Sequence, residues 1–478
     1  MPVSRAYRAA PHFAELGEGF ADVVEPAEFP RRVLRFGNQR WAEQVGLGEL
    51  TAAEWEAHFA RFEPLPDNLP APLAMRYHGH QFRTYNPRIG DGRGFLFAQL
   101  LDSQGRLLDL ATKGSGRTPH SREGDGRLTL KGGVREVLAT EMLEALGVYT
   151  SKTLSLYETG ESLHRGDEPS PTRSSVLVRL GHSHIRFGSF QRLFALEETD
   201  RLSRLLEYSV RYYAPEILDA KVEDTPCEFL RVVVERSAAL CASWMVAGFV
   251  HGVLNTDNMN VTGESFDYGP YRFLPEYDLG FTAAYFDHSG LYAFGRQPQS
   301  VLWNLARLAD TLTRLTPVPG LEAVLDSYAD HFAREYRTRL LARLGLRSRG
   351  EARDGELEVA CRAFLEQSRL APERFFFDWW GGVASTARAM EGAAATRYTG
   401  ETFASFRRLL DGYEPVEPGR LSDAYFQRDD PETLLVDEIE EIWSGIDQGD
   451  DWSRFERKVE SIRAMGAALQ SPASASSS

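Results

Sequence analysis

The sequence predicts an α+β fold in two lobes, on three observations. Before about residue 190 the apolar residues run in short strand-like stretches around one helical segment, and beyond it the periodicity is helical. A polar segment then interrupts the helices. This is "HGVLNTDNMNVTGESFDYG", His251 to Gly269, rich in Asp and Asn and placed directly after a long apolar helix.

The elements follow in order. "GDGRG" (Gly90 to Gly94) leads into "FLFAQLLD", the turn "SQGR" follows, and "LLDLATK" returns, which reads as a hairpin. "GGVREVLATEMLEALG" puts Val134, Val137, Leu138, Met142, Ala145 and Leu146 on one helical face, with Gly147 suited to the stop. "SSVLVRLG" is a further short strand. "TDRLSRLLEYSVRYYAPEI" and "CEFLRVVVERSAALCASWMVAGFVHG" read as amphipathic helices, the second running into the polar segment.

"TPVPG" (Thr316 to Gly320) marks a break. Past it, "LEAVLDSYADHFAREYRTRLLARLGL", "ETFASFRRLLDGY" and "PETLLVDEIEEIWSGI" are helical, "RFFFDWWGG" is expected to pack, and "SPASASSS" is expected to be disordered. The resulting division is 1–70 as an N-terminal extension, 71–190 and 191–316 as the two lobes, 317–470 as a C-terminal helical region and 471–478 as a tail.

Composition narrows the function classes. The chain has 478 residues, 42% hydrophobic and 26% charged, and no run approaches the ~18 apolar residues of a membrane span. No membrane association is expected. Lys and Arg number 54 against 69 Asp and Glu, a net charge of −15 with no basic block, so nucleic acid is not an expected partner. "MPVSRAYRAAPHF" has no apolar core of a secretory leader, and three cysteines without a CxxC point to neither a disulfide framework nor a thiolate zinc site. A cytoplasmic location is expected.

The candidate chemistry is that of nucleotide phosphates, which needs close backbone approach, cations, a metal site and a positioned base. Glycines in Gly90 to Gly94 remove Cβ atoms from the path of a phosphate. Lys113 ends a strand, and Glu136 follows 23 residues later on a helix, in the order of a phosphate-binding lysine and the glutamate that holds it. A kinase-type loop places its catalytic Asp two residues after the His, where this chain has Val253. Asp257 is the nearest carboxylate left to act as base. Asn258 and Asp267 offer hard oxygen donors for Mg²⁺ or Mn²⁺. Arg179 and Arg186, seven residues apart in "VRLGHSHIRFG", could grip phosphates as forks.

Other chemistries find less support. His78-Gly79-His80 and His182-Ser183-His184 lie outside any HExxH-type helix, so hydrogen-bonding histidines are expected there rather than zinc ligands. There is no G-x-S-x-G elbow and no G-x-x-x-x-G-K-[ST] loop.

Five stretches together resemble the selenoprotein O family of kinase-like protein adenylyltransferases: "YHGHQFRTYNPRIGDGRGFLF", "LATKGSGRTPHSREGDGRLTLKGGVREVLATEML", "SHIRFGSFQ", "HGVLNTDNMNVTGESFDYGP" and "YAFGRQPQSVLWNLARLA". The likeness runs from Pro30 to Leu315. It implies a protein-kinase-like two-lobed fold with an N-terminal extension and additional C-terminal helices. It further implies ATP bound in reversed orientation, so that AMP passes to a Ser, Thr or Tyr hydroxyl of a protein and pyrophosphate leaves.

By position, the resemblance makes Asp257 the proton acceptor and Asn258 and Asp267 the ligands of Mg²⁺ or Mn²⁺. Gly90, Gly92, Arg93, Lys113, Asp125, Gly126, Arg179, Arg186 and Asp267 become nucleotide contacts, and Glu136 the partner of Lys113. Arg83, His78 and His182 depart from the family pattern, where glycine or small residues are usual, and are expected to reshape the substrate face. The last cysteine is Cys361, so redox control through a C-terminal cysteine is not expected. Three alternatives stay open: a UTP-using nucleotidyltransferase, a small-molecule phosphotransferase and a non-catalytic nucleotide-binding scaffold.

Overall fold

A computed structural model describes residues 4–166 and 168–469; the tail 471–478, expected to be disordered, lies outside the described residues. The strands before residue 190 are β1 (Ala21–Val23), β2 (Val33–Gly37), β3 (Leu73–Met75), β4 (Gly79–Gln81), β5 (Thr84–Asn86), β6 (Leu96–Leu101), β7 (Leu107–Lys113), β8 (Leu128–Thr129), β9 (Lys152–Leu163) and β10 (Thr172–Gly181). Eight of them form a curled antiparallel sheet in the order β1-β3-β6-β7-β10-β9-β2, with β8 on β10, while β4 and β5 pair separately.

The hairpin read from the sequence is β6–β7. Strand β10 shows why a sheet can carry a cleft on one face. Val176, Val178 and Leu180 pack with Phe95, Phe97 and Leu110 on one side, while Leu177 belongs to the main core on the other. Strands β1 and β2, drawn from the first 37 residues, pair with β3 and β9 respectively.

The first helices, α1 (Gln39–Gln44) and α2 (Ala52–Phe59), cover the outer face through Trp55 and Phe59. Helix α3 (Leu130–Ala145) lies on the inner face. Its six expected apolar residues are all buried, and Thr129 caps it by accepting from Gly132 N at 3.1 Å. Gly133 lets it approach β9, because a Cβ there would come within 2.4 Å of Leu156 Cδ1.

Helices α4 (Phe187–Ala195), α5 (Thr199–Tyr213), α6 (Thr225–Val246) and α7 (Gln297–Leu312) build the second half. Then come α8 (Val318–Asp326), α9 (Tyr328–Arg343), α10 (Glu351–Ser368), α11 (Pro372–Trp379), α12 (Thr386–Glu391), α13 (Gly400–Leu410), α14 (Val436–Gly449) and α15 (Ser453–Leu469). The "TPVPG" break covers the end of the link after α7 and the first turn of α8.

These later helices join one continuous core with the rest. Helix α9 packs on α6 and α15 on α3, where Arg463 clamps the buried Glu141 through bonds of 2.7 and 2.8 Å. "RFFFDWWGG" does pack: Phe375, Phe376, Phe377, Trp379 and Trp380 are all buried. No helix is long and apolar enough to cross a membrane, among the described residues.

Candidate active site

The sheet register builds one wall of the site. Lys113 stands opposite Leu177, and Arg179 opposite Ala111 two positions along, so Lys113 and Arg179 share a face. Across from them the polar segment folds back from α6, with Asp257 and Asn258 in the 3₁₀ turn Thr256–Asn258. His251 secures its far end, its Nε2 bonded to the carbonyl oxygen of Phe266 at 3.1 Å. Asp267 then takes a left-handed backbone at φ 65°, a conformation that Asp tolerates better than most side chains and that often marks functional positions.

Lys113 Nζ bridges two carboxylates. It donates to Glu136 Oε1 and, at 2.7 Å, to Asp267 Oδ1. Arg179 Nη1 lies 3.7 Å from the same Asp267 oxygen. Burial alone would push the Asp267 carboxyl up, but Lys113, Arg179, Arg186 and Arg93 together hold it well below the usual carboxylate range. Asp267 is therefore an anion at any physiological pH.

Asp257 faces the opposite balance. Its carboxylate is buried, Oδ1 has no hydrogen-bond partner, and that burial, only partly offset by Arg186, pushes its pKa up to about 6. Arg186 reaches the turn through its backbone, donating from Nη1 to Asp257 O at 2.8 Å and from Nη2 to Asp91 Oδ1 at 3.2 Å. Two carboxylates ten residues apart thus differ by environment alone: one fixed as an anion, one poised as an acid or base near neutrality.

These groups line a cleft of about 730 Å³. Gly90, Gly92, Arg93, Lys113, Asp125, Gly126, Arg179, Arg186, Asp257 and Asp267 are all on its wall. Glu136 and Asn258 stand behind that wall. Glu136 acts through Lys113, and Asn258 Nδ2 lies 3.5 Å from Asp267 Oδ2. Seven Lys and Arg side chains line the cleft against five Asp and Glu, a local excess of positive charge in a chain of net charge −15.

The glycines on the cleft wall also serve the packing of the chain itself. A Cβ on Gly92 would come within 2.9 Å of His120 O, and one on Gly90 within 2.5 Å of the His120 ring, so they admit the chain's own segment around His120. Gly126, at φ 71°, has a Cβ position only 2.2 Å from Gly116 C, which no side chain could occupy. Asp125 is held at the rim by Arg165, at 2.7 and 3.1 Å.

Several functional neighbours escaped the sequence reading. Arg179 Nε bonds His184 Nε2 at 3.2 Å, and His184 Nδ1 and backbone N both bond Asp109 Oδ2, at 3.2 and 2.8 Å. This buried relay fixes the guanidinium. The Phe266 ring lies 5.3 Å from the Arg179 guanidinium and 4.9 Å from that of Arg186, whose other face has Tyr77 at 4.5 Å. Arg179 Nη1 and Arg186 Nε remain buried without a hydrogen-bond partner. The His-Ser-His signal pointed to His184, but nothing in the sequence singled out Tyr77.

Each of the four questioned histidines has a partner: His78 with Tyr85, His80 with Gln191, His182 with Tyr149 and His184 with Asp109. His182 is half-buried between Tyr149 and Tyr213 and lines a separate cavity of about 540 Å³. Arg83 is on the β4–β5 turn, two residues after Gln81, which lines the cleft.

No group of three or more His, Cys, Asp or Glu side chains forms a closed metal centre among the described residues. Two of the donors present nonetheless suit a hard cation: the ionised Asp267 and the adjacent Asn258 amide.

The family model described as "Protein adenylyltransferase SelO" matches residues 4–463. The chain belongs to this SelO family. The match extends well past Leu315, where the motif likeness ended, into α15. Among relatives, a "Protein nucleotidyltransferase YdiU" of Gloeobacter violaceus is 45% identical over 451 residues, covering 93% of this chain and 92% of its own. That of Synechocystis sp. is 43% identical over 470 residues, with 95% and 97% covered. That of Vibrio cholerae is 38% identical over 377 residues, with 78% and 75% covered.

Proposed function

We propose that this SelO family member is an enzyme, a protein nucleotidyltransferase with a kinase-like two-lobed plan that transfers AMP from ATP to Ser, Thr or Tyr hydroxyls. The observation that carries the reading is the contrast within one cleft. Lys113, Arg179 and Arg186 converge on the anionic Asp267, while Asp257 stands apart with a raised pKa and a free oxygen.

In this reading the acceptor hydroxyl forms a bond to the α-phosphorus and its proton passes to Asp257. The bond from that phosphorus to the pyrophosphate oxygen breaks. Negative charge then grows on the β- and γ-phosphates, where Lys113, Arg179 and Arg186 stabilise it with no reorganisation. Glu136 and the His184–Asp109 relay keep Lys113 and Arg179 in place. Asn258 and Asp267 would hold Mg²⁺ or Mn²⁺, which neutralises phosphate charge when bound. The missing aspartate at Val253 is then no defect, because Asp257 supplies the base from four residues along.

Two labels on ATP test this. Transfer of label from the α-phosphate to protein, with none from the γ-phosphate, is expected; label from γ alone would overturn the reading in favour of phosphotransfer. The relatives' name specifies no nucleotide, so UTP with Mn²⁺ belongs in the same assay. The acceptor's mass gain separates AMP from UMP. Binding of ATP with no transfer under either metal would leave a nucleotide-binding scaffold. The acidic charge and the described helices support a soluble partner set of ATP and proteins, with nucleic acid and membranes outside it and the cytoplasm as the site of action.

A further inference from the structure

The β4–β5 turn and the loop before α7 form an exposed aromatic surface beside the cleft. Phe82 is 37% exposed, Tyr285 76% and Phe286 43%. Their rings touch in sequence, Phe82 to Phe286 at 5.9 Å and Phe286 to Tyr285 at 5.1 Å. Isolated exposed aromatics are ordinary, but three in contact form a patch that water leaves readily.

A single buried atom ties this patch to the base. Asn255 Oδ1 accepts from Phe82 N at 3.0 Å and from the Tyr292 hydroxyl at 2.8 Å, and Asn255 lies two residues before Asp257. His80 N also donates to Thr256 Oγ1 at 2.7 Å. The loop is braced from within, since the Asp287 carboxylate accepts from Leu291 N at 2.9 Å and Tyr292 N at 2.8 Å.

The turn itself is strained. Phe82 and Arg83 have φ of 49° and 63°, the left-handed pair of a two-residue hairpin that Asn-Gly fills without penalty and a bulky side chain does not. The strained turn puts the Phe82 ring on the patch and the Arg83 guanidinium 5.6 Å from the Trp303 ring. Arg307 stacks on the same ring but is paired with Asp310, whereas Arg83 has no carboxylate partner among the described residues. In a chain of net charge −15, an unpaired cation two residues from Gln81, which lines the cleft, offers an acidic side chain a defined point of attachment.

We propose that this surface docks the acceptor polypeptide in extended form, an apolar side chain resting on Phe82, Tyr285 and Phe286 and an acidic one meeting Arg83, so that the hydroxyl between them reaches Asp257. The inference rests on the transfer reading above and adds the acceptor's recognition features. Backbone flexibility in an extended segment suits a platform that offers side-chain contacts rather than a closed pocket.

The test is a peptide library with a central Ser and randomised flanks, incubated with α-labelled ATP, Mg²⁺ and Mn²⁺. The wild-type chain should enrich Phe, Leu or Tyr and Asp or Glu at fixed flanking positions. Tyr285→Ser combined with Phe286→Ser should erase the apolar preference, and Arg83→Gly, which relieves the strained turn, should erase the acidic one. Neither change should alter ATP affinity beyond about twofold. Transfer with no flank preference, or with preferences unchanged in the variants, overturns the docking surface and leaves the transfer reading intact. Labelling of whole proteins but of no peptide also overturns it, since the segment would not be read in extended form. No α-label transferred to any acceptor overturns both.

Discussion

Arg186 donates to the backbone oxygen of Asp257 at 2.8 Å and leaves that residue's carboxylate Oδ1 without any partner. The guanidinium thus anchors the turn while only partly offsetting the burial of the acid it carries. A carboxyl oxygen left unpaired in that position is unfavourable to the fold and useful to proton transfer.

Replacing it separates the two effects. Asp257→Asn should lower transfer by about 10² to 10⁴-fold, the range for a lost general base, while leaving ATP affinity within a few-fold. It should also stabilise the fold. The folded pKa of about 6 lies above the unfolded value near 4, so the acid form's contribution is complete below about pH 4 and is lost as pH rises through 6. Above that, the asparagine variant should be more stable by about 2 to 3 kcal/mol in urea titrations, and the gap should close at pH 4.

The same group sets the acid limb of activity. The kcat/KM for transfer should fall about tenfold per pH unit below an inflection near 6. Asp267 cannot produce that limb, because its carboxyl is held well below the usual range. A profile flat from pH 5 to 8 would contradict the assignment of Asp257.

Lys113 neutralises a buried carboxylate, Glu136, and a half-buried one, Asp267, so Lys113→Met should do more than remove a phosphate contact. Glu136 and Asp267 would lose their shared cation, and about 3 to 5 kcal/mol of stability with it. ATP binding, measured calorimetrically, should weaken at least tenfold. Glu136→Gln should be milder on both counts, because the Lys113–Asp267 pair survives.

The relay behind Arg179 predicts coupling rather than simple loss. Asp109→Asn should weaken ATP binding about tenfold with the melting temperature little changed, through a misplaced guanidinium. In an Arg179→Ala background the same change should have almost no further effect on ATP binding. Additive losses would mean that the relay serves only the fold.

What the sequence made legible follows from how locally each feature is encoded. Strands β6 and β7 are short apolar runs bounded by glycine and turn residues, helix α3 carries a period of 3.6, and Lys113, Glu136, Asp257 and Asp267 sit within motif spacing. Strand β9 went unread because Thr, Glu and Gly punctuate "KTLSLYETGESL", and β1 and β2 because they are short and largely exposed. The His184–Asp109 bond spans 75 residues and depends on β7–β10 register, which pairs Gly181 with Asp109. The clamp of Arg463 on Glu141 spans 322 residues. Contacts of that kind arise from the assembled sheet and leave no local pattern.

The account turns on which phosphorus faces Asp257. A crystal structure with a non-hydrolysable ATP analogue and Mg²⁺ answers it directly. The α-phosphorus should lie nearest the Asp257 carboxylate, with the β- and γ-phosphates on Lys113, Arg179 and Arg186. A γ-phosphorus beside Asp257, with both arginines clear of every phosphate, would contradict it.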